Sequence, residues 1–292
     1  MGDYIRSIFN SMYQVQKIYR MSKLLHLLCL LVSFGVILGQ GHLRIIDGKP
    51  AWPKLLPYQV LLEATFKDDN KTYYCGGTII SKRWILTAAH CLVNSSLVLD
   101  NVIVSAGIVN ATDENEFGRV EMLVKMQDTV VHSEYNNKTI ENDIALIHLP
   151  EDLKLNDYIQ PAKLPKRKHP NAYDFRKAIV SGWGQTNHGP TDILKYLVVR
   201  IISNKHCEKL WSLALNGLRK LILNSFLCID TRRGLPCFGD SGGPLVLDDG
   251  SDTIVGIVSH GYDAECNIRV PDIFTRVSSF VDWIEMHTGK LT

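Results

Sequence analysis

Short apolar runs rich in Val, Ile and Leu recur along the chain from residue 58 to residue 259. Each run is only a few residues long and is bounded by Gly, Asn, Asp or other turn residues. Runs of this length are typical of β-strands, and a long series of them indicates an all-β barrel or sandwich. We therefore predict strands at 58–62, 78–80, 84–87, 102–106, 144–149, 178–182, 197–202, 244–247 and 253–259.

One helix is predicted at the C-terminal end of the chain. Residues with helical spacing of i, i+3, i+4 and i+7 are Phe280, Trp283, Ile284 and His287. Ser278 or Ser279 is the expected N-cap. Hydrophobic residues make up 46% and charged residues 21% of the 292 positions, so a sizeable core can form and intrinsic disorder is excluded.

The charge balance argues against one class of partner. Lys and Arg number 32 and Asp and Glu number 30, for a formal net charge of +2. A nucleic-acid-binding domain normally carries a strong basic excess. We therefore expect no nucleic-acid partner.

An apolar run of 15 residues lies at 24–38, with basic residues before it and small residues after it. A transmembrane helix needs about 20 apolar residues, so this run is short for a span. Its flanks describe a secretory signal peptide, which we place at 1–41. A retained membrane anchor is the alternative. Met1 or Met21 is the start, because the flank before Met21 is unusually long.

Seven cysteines are present, of which Cys29 lies inside the apolar run. The other six are Cys75, Cys91, Cys207, Cys228, Cys237 and Cys266. An even number in an exported chain implies up to three disulfides, but six cysteines allow 15 pairings, so counting does not choose among them. Four Asn-x-Ser/Thr sequons predict glycosylated surface loops: Asn70, Asn94, Asn110 and Asn137.

Three residues stand in contexts that suggest shared chemistry. His90 follows an apolar run in Leu-Thr-Ala-Ala-His-Cys, Asp143 heads another in Asn-Asp-Ile-Ala-Leu-Ile, and Ser241 lies in Gly-Asp-Ser-Gly-Gly-Pro. A serine hydroxyl needs an adjacent base to act as a nucleophile, and imidazole can take and return that proton. A buried carboxylate fixes the imidazole tautomer and stabilises the imidazolium. The amides of Gly239 and Ser241 could stabilise a developing oxyanion.

On these motifs, the chain resembles the trypsin and chymotrypsin family of serine endopeptidases. Matching segments occur in the family's order at 44–48, 87–91, 143–146, 181–184 and 239–244. The resemblance extends from Ile45 to about His287. It implies two six-stranded antiparallel β-barrels with a C-terminal helix, the active site in the cleft between the barrels, and a protease domain at 45–292.

The resemblance also implies the disulfides Cys75–Cys91, Cys207–Cys228 and Cys237–Cys266. The loop between Cys207 and Cys228 is longer than usual, which predicts an insertion near the cleft rim that includes 213–221. Expected partners are polypeptide substrates, an activating trypsin-like protease and protein inhibitors. The protein is expected to be a monomer and not to bind a membrane.

Residues 42–44 are interpreted as a short activation propeptide. Cleavage after Arg44 would free the amino group of Ile45, which in this family turns inward and pairs with the residue before the nucleophile, here Asp240. A buried carboxylate without a partner is costly. The pair would therefore couple cleavage to the ordering of the Gly239 amide.

The specificity pocket gives two opposing signals. Leu235, six residues before the nucleophile, occupies the position that is Asp in trypsin-like members, and favours a large apolar P1 side chain. Asp272 lies where the family usually has Gly, and could recognise a basic P1 side chain. We favour the apolar reading. Ser259 and Gly261 align with the strand that pairs with substrate backbone, although His260 between them replaces the usual Trp.

No metal and no cofactor are expected. Asp113, Glu114 and Glu116 form an acidic cluster, but Ile108 stands where the family's calcium loop has its first carboxylate ligand. The sequence thus predicts a secreted serine endopeptidase. The alternatives are a non-catalytic binding protein of the same fold and, if the apolar run is retained, a membrane-anchored protease.

Overall fold

The computed structural model describes residues 48–94, 96–166, 170–185, 189, 191–262, 266 and 268–291. The predicted signal peptide and propeptide, including Arg44 and Ile45, lie outside these residues. No helix in the described part of the chain is long and apolar enough to cross a membrane.

The first half of the described chain forms a seven-stranded antiparallel sheet in the order β6-β5-β2-β3-β4-β8-β7. Its strands are β2 (Gln59–Phe66), β3 (Thr72–Ile79), β4 (Trp84–Thr87), β5 (Leu99–Ala106), β6 (Val120–Lys125), β7 (Thr129–Val131) and β8 (Ala145–His148). No pairing between β6 and β7 closes the ring within the described residues, so this half is an open half-barrel. Its apolar side chains form the largest buried cluster.

The second half forms a closed antiparallel barrel of six strands in the order β9-β10-β11-β14-β13-β12, with β12 pairing back to β9. The strands are β9 (Lys177–Gly182), β10 (Lys195–Ile202), β11 (Phe226–Ile229), β12 (Pro244–Leu247), β13 (Ile254–His260) and β14 (Asp272–Arg276), and the short β1 (Lys49–Pro50) joins β10 at its edge. Val and Leu side chains around Phe274 fill the interior.

The expected chymotrypsin-like, all-β fold is confirmed. The C-terminal helix is present as α2 (Val281–Thr288), but its predicted serine cap is wrong, because Phe280 occupies the cap position and no side chain caps the helix. Ser278 and Ser279 lie instead in the 3-10 turn before it. The strands β1, β6, β7, β11 and β14 were not predicted.

A second helix, α1 (Asn204–Ala214), begins just before Cys207 and continues into the stretch between Cys207 and Cys228, where the sequence predicted an insertion. Ser203 caps it by accepting a hydrogen bond from the backbone N–H of His206. Trp211 anchors its inner face and donates its indole N–H to the carbonyl of Pro271 at 2.9 Å. The helix thereby holds the insertion against the second barrel.

Hydrogen bonds join the two sheets beneath the cleft. Ser181 in β9 donates its hydroxyl to the side-chain oxygen of Gln59 in β2 at 2.6 Å, and both side chains are buried. The backbone N–H of Gly76 in β3 donates to the carbonyl of Ser241 at 2.7 Å. A Cβ at Gly76 would lie 2.7 Å from the backbone of Gly243, so only glycine permits this approach.

Candidate active site

His90 is placed by strand β4 and by a disulfide. The strand ends at Thr87, and His90 lies in the 3-10 turn Ala89–Cys91 that follows it. The neighbouring Cys91 is bonded to Cys75 in β3. The turn is therefore tied to the sheet on both sides, and the imidazole projects into the cleft with 25% of its side-chain surface exposed.

Asp143 lies directly before β8 and is fully buried. One carboxylate oxygen, Oδ1, accepts the backbone N–H of His90 at 3.0 Å. The other, Oδ2, lies 2.8 Å from Nδ1 of the same histidine and accepts the hydroxyl of Ser259 at 2.6 Å. These contacts fix the imidazole plane and require a proton on Nδ1, which leaves Nε2 as the basic nitrogen.

The electrostatics of this pair are mutually supporting. Burial alone raises the pKa of Asp143, but the attraction of His90 and the hydrogen bonds from His90 and Ser259 outweigh it and lower the pKa overall. Burial alone lowers the pKa of His90, but the Asp143 carboxylate raises it above the ordinary value. The geometry therefore stabilises a positive charge on His90.

Ser241 lies in the turn before β12, in the same cleft as His90. Its backbone carbonyl is held by Gly76, and the next N–H, of Gly242, donates to Val258 in β13 at 2.9 Å. Gly242 has a φ of +76°, and a Cβ there would collide with the Thr87 hydroxyl. His90 and Ser241 both line two adjoining cavities of about 670 and 450 Å³, and no hydrogen bond joins their side chains in the described structure.

Gly239 and Ser241 supply backbone N–H groups close to the Ser241 side chain. Gly239 has a φ of +91° and, like Ser241, lines the larger cavity. Neither N–H donates to another described residue, so both remain available. The preceding carbonyl, of Phe238, is fixed by the N–H of Gln185 at 2.6 Å.

Asp240 is buried directly before Ser241 in the chain. Its carboxylate accepts the backbone N–H of Gly184 at 2.8 Å and that of Cys237 at 2.9 Å. Burial raises its pKa to about 6, although these two bonds act in the opposite direction. No basic side chain of the described residues forms an ion pair with it. The expected partner, the amino group of Ile45, lies outside the described residues.

Leu235 and Asp272 line the same 450 Å³ cavity, which is the predicted specificity pocket. Leu235 is 3% and Asp272 is 6% exposed. One carboxylate oxygen of Asp272, Oδ2, is buried without a hydrogen-bond partner in the described structure. Burial raises its pKa well above the ordinary value, Arg269 acts in the opposite direction, and Asp240 raises it further.

The disulfides join Cys75 to Cys91, Cys207 to Cys228 and Cys237 to Cys266, the pairs that the resemblance implied. The last pair borders the specificity pocket. Because Cys75 and Cys91 are bonded to each other, the cluster that they form with His90 offers no thiolate to a metal ion.

The acidic loop is held by its own side chains. Glu116 accepts the backbone N–H groups of Val109 and Asn110, and Arg119 donates to the carbonyls of Ala111 and Asp113 at 3.3 and 3.2 Å. The guanidinium of Arg119 therefore provides the positive charge that interacts with these carbonyl oxygens. Of the four sequon asparagines, Asn70 and Asn137 are exposed and Asn94 and Asn110 are half-buried.

Two features of the site were not predicted from the sequence. His260 contacts Ser259, with 3.1 Å between Nδ1 and the hydroxyl oxygen. The larger cavity is bordered by the exposed aromatic residues Tyr73, Tyr74 and Phe238. The Tyr-Tyr pair immediately before Cys75 was a visible signal for this wall, whereas nothing in the sequence indicated the contact of His260.

Comparison with known proteins gives a consistent result. The family model described as "Trypsin" matches residues 45–284. Collagenase of Hypoderma lineatum is 39% identical over 248 residues, covering 84% of this chain and 88% of the relative. Chymotrypsin of Phaedon cochleariae is 37% identical, covering 84% and 83%, and brachyurin of Leptuca pugilator is 35% identical, covering 84% and 99%. The solved structure of HL collagenase superposes with a TM-score of 0.73 at 36% identity, covering 84% of this chain and 99% of that one.

Proposed function

The chain belongs to the trypsin family and is a serine endopeptidase, and from this premise we propose that it cleaves polypeptides through Ser241, His90 and Asp143. The observation that carries the proposal is the 2.8 Å contact between His90 Nδ1 and the buried Asp143 carboxylate, in a cleft that also contains Ser241.

His90 acts first as general base, taking the proton of the Ser241 hydroxyl as the oxygen attacks the scissile carbonyl carbon. The N–H groups of Gly239 and Ser241 stabilise the oxyanion of the tetrahedral intermediate. His90 then returns the proton to the leaving amine, which departs and leaves an acyl-enzyme. Water, deprotonated by the same imidazole, hydrolyses the ester and restores the hydroxyl.

We propose a large apolar side chain at P1. The pocket wall includes Leu235 and Val258, and burial raises the pKa of Asp272, which disfavours its charged form in the free enzyme. A basic P1 side chain could still pair with Asp272 at a pH at which the Asp272 carboxyl is ionised. Profiling P1 on a peptide library decides between the two residues, because control by Leu235 gives Phe, Tyr, Leu or Met and control by Asp272 gives Lys or Arg.

The protein is proposed to be a secreted zymogen activated by cleavage after Arg44. Three disulfides agree with an oxidising compartment, and the Asp240 carboxylate, which has no ion-pair partner among the described residues, provides a site for the Ile45 amino group. Amino-terminal sequencing of secreted material tests this, with starts expected near Gln40 or His42 before activation and at Ile45 afterwards. Recovery of an intact 24–38 segment in membranes would instead support the anchored form.

Labelling with an organophosphonate tests the catalytic roles. The protein cleaved after Arg44 should be labelled at Ser241, and S241A should give neither label nor turnover. H90A should lose both as well, because the hydroxyl would lack its base. Correctly cleaved, disulfide-intact protein that takes no label would favour the non-catalytic binding alternative.

A further inference from the structure

Ser259 donates its single hydroxyl proton to Asp143, and this fixes the proton on His260. The distance from Ser259 Oγ to Asp143 Oδ2 is 2.6 Å, and that from the same Oγ to His260 Nδ1 is 3.1 Å. If the hydroxyl donated to His260 instead, its lone pairs would face an ionised carboxylate at 2.6 Å, which is repulsive. The serine therefore donates to Asp143, and His260 Nδ1 must carry the proton that Ser259 accepts.

A β-bulge makes this contact possible. Val258 pairs with Phe274 and His260 pairs with Ile273, so β13 contains one residue more than β14 at this point. In a regular strand, Ser259 and His260 would point to opposite faces. The bulge re-aims one of them, as bulges beside active sites commonly do.

The environment of His260 keeps the imidazole neutral. The pKa of His260 is lowered to about 4; burial is the main cause, Lys220 and His90 contribute to the lowering, and Asp143 acts in the opposite direction. Lys220 comes from the insertion and lies 5.4 Å from the centre of the Trp211 ring. The edge of the imidazole meets the ring of Phe226, with 5.5 Å between centroids. A neutral ring with the proton on Nδ1 is thus maintained across the working pH range.

Resting on the proposed catalytic roles, we infer that His260 is a positioning residue for the triad, and that its Nδ1–H polarises the Ser259 hydroxyl and strengthens the bond from Ser259 to Asp143. A stronger bond at Oδ2 withdraws charge from the carboxylate and makes Asp143 a weaker partner for the imidazolium of His90. His260 thereby lowers the pKa of His90 and fixes the orientation of the Asp143 carboxylate. His260 itself transfers no proton to substrate.

Two substitutions at this position separate positioning from packing. H260F keeps a planar ring but removes the donor, whereas the side-chain amide of H260N can place an N–H close to the Nδ1 position. In H260F we expect kcat on a peptide anilide with Phe at P1 to fall roughly three- to tenfold, the range for one lost hydrogen bond. The acid limb of the kcat/KM profile, which is the loss of activity at low pH, should have its midpoint about half a pH unit higher. H260N should restore both quantities to within about twofold of wild type.

His206 offers the matched control, because its side chain is exposed on α1 and lies outside the cleft lining. H206F should leave kcat and the acid limb unchanged. If H260F behaves like H206F, or if H260N is as impaired as H260F, the inference is overturned. A change in KM alone, with kcat and the acid limb unchanged, would mean that His260 only shapes the pocket, and also overturns it.

A measurement on the wild-type enzyme does not depend on how the variants fold. Long-range ¹H–¹⁵N spectra of histidine-labelled, activated protein report the tautomer of each imidazole. The inference requires His260 to be neutral with its proton on Nδ1 from pH 5 to pH 8. An Nε2–H tautomer, or a charged ring in this range, overturns it. Organophosphonate labelling of Ser241 in the same sample keeps this outcome separate from a failure of the proposed catalytic roles.

Discussion

Asp240 makes the uncleaved protein sensitive to pH in a way that activation should abolish. In the folded chain its pKa is about 6, against an ordinary value of 3.8, because the carboxylate is buried and, among the described residues, only the backbone N–H groups of Gly184 and Cys237 donate to it. Below about pH 3, the group is protonated in both the folded and unfolded states and contributes no difference. As the pH rises from the unfolded pKa toward the folded pKa, the Asp240 carboxyl ionises first in the unfolded chain. The folded state therefore loses stability until the pH exceeds 6.

A shift of about two pH units corresponds to about 3 kcal/mol in the free energy of unfolding. In a domain of this size, that is a change of roughly 6–12 °C in melting temperature. The uncleaved protein should therefore lose most of these roughly 3 kcal/mol between pH 4 and pH 7. D240N removes the titration and should flatten this part of the curve. Its amide also replaces one acceptor with a donor, which lowers stability equally at every pH, so the slopes and not the absolute values are compared.

Equilibrium urea unfolding of uncleaved S241A and D240N/S241A measures these slopes, and the S241A background prevents self-digestion. The two curves should diverge as pH rises from 4 to 7. Cleavage after Arg44 should abolish the loss of stability in S241A over this range, because the Ile45 amino group then pairs with the ionised Asp240. Parallel curves for the uncleaved proteins would refute the argument from burial, and a loss in S241A that persists after cleavage would refute the pairing with Ile45.

Four further predictions concern the pH dependence of activity, the specificity, the stability of the acidic loop and metal binding. Activity should be lost as pH falls through the pKa of His90, which Asp143 raises above 6.5 despite burial, and a flat kcat/KM profile between pH 5 and pH 9 would contradict its role as base. Cleavage after Arg relative to Phe should rise with pH as Asp272 ionises, and D272N should abolish this rise when the two anilide substrates are compared. R119A should lower the melting temperature by about 3–8 °C, because two loop carbonyls lose their donor. EDTA or added calcium should leave the melting temperature of the wild type unchanged, and a clear increase with calcium would mean that the loop binds the ion after all.

The sequence was most informative where local chemistry restricts residue choice. Gly242 must be glycine because of its positive φ and the nearby Thr87 hydroxyl, and the Gly-Asp-Ser-Gly-Gly-Pro motif could be recognised for that reason. Short apolar strands bounded by turn residues, such as β4 and β12, were placed with the correct bounds. The disulfide pairs could not be derived from counting and required the family resemblance.

The sequence was least informative where tertiary contacts decide the structure. Helix α1 has a clear serine cap, but only two of its side chains, Cys207 and Trp211, are buried, so its apolar pattern was too sparse to predict it. Strands β11 and β14 are four and five residues long and are buried along their whole length, which gives no alternating pattern. The contact between Ser259 and His260 depends on a bulge, and a period of two residues predicts opposite faces for them.

The hydrogen bond from Gly76 to the carbonyl of Ser241 has a consequence for building hybrids of this protein. Ser241 belongs to the second half of the described chain, yet its backbone carbonyl accepts a hydrogen bond from Gly76 in the first half. Exchanging either half for that of a relative would change the position of the Ser241 hydroxyl oxygen unless Gly76, Thr87 and Gly243 were all retained in the hybrid. Activity in such a hybrid therefore depends on the contacts between the two halves. A hybrid that keeps each half intact but changes these contacts should fold and yet be inactive.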